Sequence, residues 1–300
     1  MSIYVEIFIR GDMDDLWAKT QEPKLHQRWD LRFSEIDYLP RGTNEPQKFL
    51  YSTRIGAGLR IEGGGESTGE RNEASGERIS ALKFWSDDRK SLIREGSGYW
   101  KYIPEQDGIR FLTWYDYRTR FGLIGKITDR LVFRPLIGWA TAWSFDRLRL
   151  WIEQEITPEA SRNQTVIYSV ARTIVAFIWF YHGLVPKLLF PNSDELAMLR
   201  NIGIEALHVR QAASVAGLIE VCIALVVIIF WRSRWPLWFT ICAMVAAFVG
   251  VCISSPSYLT AAFNPVTFNL TVAALAAIAL LVRKNMPTAT RCKRKPRVNP

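Results

Sequence analysis

Histidine and cysteine are scarce, three and four in 300 residues. Cys222, Cys242, Cys252 and Cys292 show no paired spacing. Neither a disulfide framework nor a zinc site is expected, no metal or cofactor is predicted, and no catalytic residue is assigned. Acid is scarce in one half only. Residues 161–300 hold 4 Asp and Glu against 14 Lys and Arg, a net charge of +10. Residues 1–160 hold 25 against 24, net −1. The basic excess belongs to the apolar half, which points to membrane-flanking charge and away from a nucleic-acid partner. A signal-peptide core is also lacking. Met1–Arg10 alternates, with Ile3, Val5, Ile7 and Ile9 on one side, as a strand does. The first half is therefore expected to stay in the cytosol.

What the second half has is length without charge. Ala212–Trp231 is twenty residues with one charge, Glu220. At 1.5 Å per residue it covers roughly 30 Å, the thickness of a bilayer's hydrocarbon core. Three further spans are predicted at Thr165–Phe190, Pro236–Ile253 and Pro265–Val282. Arg172, His182, Lys187 and Glu220 form a candidate intramembrane polar site. A carboxylate inside a membrane seeks a partner. Glu220 is expected to pair with Arg172 or His182, either as glue between helices or as a proton, quinone or ligand site. Lys187 reads as an interface residue with a snorkelling side chain. With four spans, the Arg232/Arg234 turn and the basic C-terminus fall on the same side as the N-terminus, so both termini are expected in the cytosol.

The first half reads as strand, two short helices, about six strands, and a long helix over Thr128–Ile156. Gly63–Gly69 lacks the Lys-Ser/Thr of a phosphate loop and is expected as a mobile hairpin. His26 and Asp30, four apart, are expected as a surface contact. Rings abound: Phe84, Trp85, Tyr99, Trp100, Phe111, Trp114, Tyr115, Tyr117, Phe133, Trp139 and Trp143.

This order of elements, with WSFDRLRLWIEQEITPE at 143–159 as a terminal helix, resembles the START-like (SRPBCC, polyketide cyclase-like) superfamily. The resemblance covers about 1–157. It implies an α+β helix-grip domain whose sheet wraps the long helix, with an apolar ligand between them. Trp85, Tyr99, Trp100, Phe111, Trp114, Tyr115 and Trp143 are the rings proposed to touch that ligand. YHGLVPKLLFPNSDE at 181–195 and GLIEVCIAL at 217–225 look like the DoxX-like family, over about 165–285. That resemblance implies an all-α bundle of four transmembrane helices, and some relatives are linked to quinone or thiol redox systems.

The expected organisation is a cytosolic helix-grip domain at 1–158, a linker at 159–164, a bundle at 165–285 and a disordered basic tail at 286–300. The expected place is a bacterial inner membrane. The function reads as binding of an apolar or lipid-like molecule coupled to the bundle, more binding protein than enzyme. The alternatives are a subunit of a quinone-linked redox system, with a membrane redox partner or a second copy of the chain, and a tethered scaffold.

Overall fold

The first strand, β1 (Ile3–Ile9), sends Ile3, Val5, Ile7 and Ile9 into a core where all four are buried. In this computed structural model residues 2–43, 45–56, 58–262 and 264–296 are described. Asp12 caps helix α1 (Met13–Gln21) by accepting from the backbone of Asp14 and Asp15. Pro23 opens α2 (Pro23–Trp29). Six strands follow: β2 (Glu35–Tyr38), β3 (Lys48–Ile55), β4 (Leu59–Asn72), β5 (Arg78–Trp85), β6 (Ile93–Glu105) and β7 (Gly108–Thr119). They form one antiparallel sheet in the order β1-β7-β6-β5-β4-β3-β2, with β1 and β2 at its edges.

Gly63–Gly69 is not a hairpin. It lies inside β4, paired to β3 and β5. The rings of Tyr51 and Phe49 on β3 cross over Gly63 and Gly65, where any Cβ would collide with them. The glycines are the floor on which concave-face rings lie flat.

After β7 the chain makes α3 (Gly122–Thr128), a π-helical turn (Asp129–Phe133) and the long helix α4 (Arg134–Gln154). The sheet grips α4, as the helix-grip expectation requires. Every residue from Thr141 to Leu150 is buried, including Asp146, Arg147 and Arg149. Arg149 donates to Asp146 at 2.6 Å and Glu153 at 2.6 Å, and Arg147 donates to the Pro158 carbonyl at 2.6 and 2.9 Å.

The chain's last described residues cover the other side of α4, so the tail is not disordered over 287–296. Residues 287–296 belong to the same compact unit as the described residues up to 162. The Thr288 amide donates to Asp146 at 2.7 Å, and Cys292 is buried with its thiol on the Ala142 carbonyl. Lys293 and Glu6 exchange both backbone hydrogen bonds at 2.9 Å, which occupies the outer edge of β1. Burial works against the Glu6 carboxylate, but Tyr4, Lys293 and Arg110 outweigh it and lower its pKa. Residues 297–300 of the expected tail lie outside the described residues.

The second compact unit, residues 163–286, is helical. The expected linker is no break, since helix α5 (Pro158–Gly183) runs straight through 159–164 and ends in a π turn (Leu184–Leu189). The polar connection holds α6 (Ser193–Asn201). Then come α7 (Val209–Ile229), α8 (Trp235–Ser254) and α9 (Pro265–Val282). Among the described residues, four helices are long and apolar enough to cross a membrane. Their outward side chains are apolar, with Ile229, Ile253 and Leu281 more than 70% exposed, a surface suited to lipid and not to water. Inside, small residues (Ala171, Ala176, Ala224, Ala276, Ala279) let the backbones close on one another.

Candidate functional site

The concave face of the sheet, α2 and the start of α4 enclose a cavity of about 480 Å³ in the first unit. Strand alternation decides which rings reach it. On β3, Phe49, Tyr51, Thr53 and Ile55 point in; on β5, Ser80, Leu82 and Phe84; on β6 and β7, Gly98, Trp100, Thr113 and Tyr115. Phe133, Leu136, Ile137 and Trp139 close it from the helix side. Leu31, Ile55, Leu136 and Trp139 both line the cavity and are more than a third exposed, so they mark its mouth.

Of the seven rings expected at a ligand, Trp100 and Tyr115 reach into this cavity. Tyr99 borders it, but lies between Gly98 and Trp100 and opposite Trp114, so its ring turns to the convex face. The other four do not. Trp114 faces the convex side, edge-on to Tyr4 at 5.9 Å. Trp85 borders a separate shallow groove with Gly63, Gly64 and Gly65. Phe111 is buried in the core against Phe145 at 4.5 Å, and Trp143 is buried beside Trp139. Phe33, between α2 and β2, and Phe49 and Tyr51 on β3 also line the cavity, and nothing local in the sequence says that these segments lie over it. Burial pushes the Tyr51 phenol up to about 12.

The cavity's polar station was misread. His26 and Asp30 are not on the surface. Asp30 is fully buried and His26 lines the cavity. His26 Nε2 lies 3.0 Å from Asp30 Oδ2, and Arg32 clamps the same carboxylate at 2.6–3.2 Å. Trp29 stacks on the imidazole at 5.0 Å, and Trp100 and Phe33 meet it edge-on. Burial lowers the His26 pKa and outweighs Asp30's pull, so the ring is neutral at pH 7. Burial alone would raise the Asp30 carboxyl, but Arg32 and His26 hold it well below the usual carboxylate range. A neutral ring that gives Nε2–H to Asp30 keeps Nδ1 as an acceptor. The spacing of His26 and Asp30 was the available signal, and Arg32 two residues on completed it.

In the second unit the expected constellation separates. Glu220 pairs with Lys187 at 3.0 Å, not with Arg172 or His182. The physical reason is a close crossing. Gly183 and Gly217 meet backbone to backbone, which sets Glu220 beside the turn that carries Lys187. Lys187 also reaches Glu195 at 3.0 Å, so it bridges two acids and is not a snorkelling residue. Arg172 is fully buried and, among the described residues, meets no carboxylate. It donates to the carbonyls of Val227 (2.9 Å), Phe230 (2.6 Å) and Ser233 (3.0 Å), and to the Tyr168 hydroxyl. Val227 and Phe230 belong to the last turn and cap of α7 and Ser233 to the turn that follows, so Arg172 ties the end of that helix to its turn, where Phe230 also accepts from the Ser233 amide. The His182 ring packs on Phe268 at 4.6 Å.

A ring-lined cavity between a curved antiparallel sheet and a long helix, in a chain with four membrane-length helices among the described residues, defines a membrane protein with an α+β helix-grip domain. Residues 176–277 match the DoxX-like family. The "Uncharacterized membrane protein YndG" of Bacillus subtilis (strain 168) is 54% identical over 182 residues, 60% of this chain and 68% of that protein, and the chain belongs to its family. Among solved structures, a STAR-related lipid transfer protein from Xanthomonas axonopodis is 14% identical, with a TM-score of 0.40, over 51% of this chain and 85% of that one. The di-domain ARO/CYC StfQ of the steffimycin biosynthetic pathway is 16% identical at a TM-score of 0.40, over 51% and 50%. The Zhui aromatase/cyclase from Streptomyces sp. R1128 is 11% identical at 0.38, over 51% and 95%.

Proposed function

We propose that the first unit binds an apolar small molecule carrying a hydroxyl or similar donor, and exchanges it with the membrane half of the same chain. The observation that carries this reading is the cavity. Its walls are rings and aliphatic side chains, and its polar station, His26 with Asp30 and Arg32, is neutral overall. An anion would find Arg32 already neutralised; a hydroxyl could donate to a neutral imidazole. In this reading Trp100 and Tyr115 touch the ligand, and the pair Lys187–Glu220 holds α5 against α7. The chain sits in this reading in a bacterial inner membrane with the first unit and both termini in the cytosol. The charge bias and the return of residues 287–296 to the first unit support it.

The test uses the full chain, purified from native membrane and extracted with solvent. One hydroxylated apolar species should co-purify near stoichiometry. Leu82→Trp, which fills the cavity, should cut it at least tenfold while the melting temperature holds within a few degrees. A redox quinone in the extract would favour the quinone-linked alternative. No bound molecule at all would leave the scaffold reading.

A further inference from the structure

The part of the first unit that water tolerates least is the stretch leading into α4. Leu123 is 73% exposed, Ile124 76% and Leu131 70%, and Phe121, Ile127, Val132 and Leu136 are at least half exposed. Seven large apolar side chains thus stand out of sixteen residues, and soluble surfaces rarely gather so many. The charges beside them are basic. Lys126 and Arg130 are exposed, and the stretch's one acid, Asp129, is buried, accepting from Tyr117 (2.6 Å) and Arg134 (2.8 Å). Exposed apolar residues interleaved with cations are what an interfacial helix presents to anionic lipid. The chain's own membrane helices keep a bilayer within reach at all times. Leu136, at the end of this stretch, also stands at the cavity mouth.

We propose that residues 121–136 bed in the headgroup layer of the membrane that the chain itself spans. The occupant of this apolar face is therefore the bilayer, and the cavity mouth opens toward lipid. The docking stands without the ligand reading; only the use of the mouth as an entry route rests on it.

The experiment places a bimane label at Ile124→Cys in the full chain, with Cys222, Cys242 and Cys252 changed to Ser. Asp107→Cys serves as the control. It is exposed at the other end of β7, roughly 35–40 Å away by strand rise. The protein is placed in nanodiscs of phosphatidylethanolamine and phosphatidylglycerol containing doxyl-labelled lipid. Quenching at position 124 should exceed that at 107 at least threefold. Adding Leu123→Ser, Ile127→Ser and Leu131→Ser should abolish the excess without shifting the melting temperature. Equal quenching at both positions overturns the proposal. So does a label at 124 that is shielded from lipid and cross-links to a second copy, since the face would then be a protein interface. A chain that lacks its ligand would still show the quenching, so failure of the docking and failure of the ligand reading are separable.

Discussion

The Lys187 ammonium lies 3.0 Å from the Glu220 carboxylate, although Arg172 and His182 stand earlier in the same membrane-length span. The pair locks the Gly183–Gly217 crossing of α5 and α7, and what it contributes is measurable. Glu220→Ala and Lys187→Met should each cost about 1–3 kcal/mol, since each leaves a partner uncompensated. The double variant should cost less than the sum. Detergent-solubilised melting of the four proteins checks this. Additive losses would mean the two residues act separately.

Arg172 should matter more. Arg172→Leu removes the donor to the Val227 and Ser233 carbonyls and one of two donors to Phe230, at about 1–3 kcal/mol for each group left unsatisfied. Arg172→Lys should recover only part, because an ammonium on a single stem cannot reproduce the planar fork. Limited proteolysis in detergent, read at the Phe230–Arg234 turn, reports it. Equal resistance of all three proteins would refute the capping role.

The pH response should carry a His26 signature. Its folded pKa is depressed, so the unfolded chain takes up the proton first. Stability is then present above the ordinary histidine pKa of about 6.5 and declines as pH falls below it. Asp30, also depressed, adds its own loss only below about pH 4. Intrinsic-fluorescence melts at pH 7.5 and 5.5 should show a drop in wild type that is smaller in His26→Gln, with Asp30 and Arg32 unchanged. The same drop in both would place the effect elsewhere.

The tail should behave as part of the first unit. With the three membrane cysteines changed to Ser, Cys292 should label with a thiol reagent at least a hundredfold more slowly than an exposed cysteine. Burial raises its pKa as well as hiding it. Removing 287–300 should lower the melting temperature of the first unit by several degrees. Rapid labelling in the intact chain would mean the tail is loose.

Membrane topology is checked by fusing alkaline phosphatase, which works only outside the cytosol. It should be active at Ser257 and silent after Pro300. The reverse pattern would invert the orientation.

Periodicity carried much of the fold into view. The alternation of Ile3 to Ile9 marked β1, and Pro265–Val282 matches α9 residue for residue. What stayed hidden depended on partners far along the chain. Asp146 can sit buried on the long helix only because Thr288, in the strip 287–296, donates to it. Gly63–Gly69 looked like a turn because Phe49 and Tyr51, which need those glycines, belong to another strand. Glu220's partner depended on where two helices cross, which helical spacing along one of them does not encode.

The bond between Lys293 and Glu6 joins residues 287 positions apart. A ribosome adds about 5–20 residues per second, so β1 waits on the order of 10 s after the long helix emerges before its edge is covered. In that interval the chain is threaded back and forth through the bilayer. Until then the domain shows an unpaired strand edge, the kind of surface that invites aggregation and proteolysis. Covering it requires residue 293 to reach the side of the membrane on which β1 lies. A truncated or mis-threaded molecule would carry its own mark for disposal.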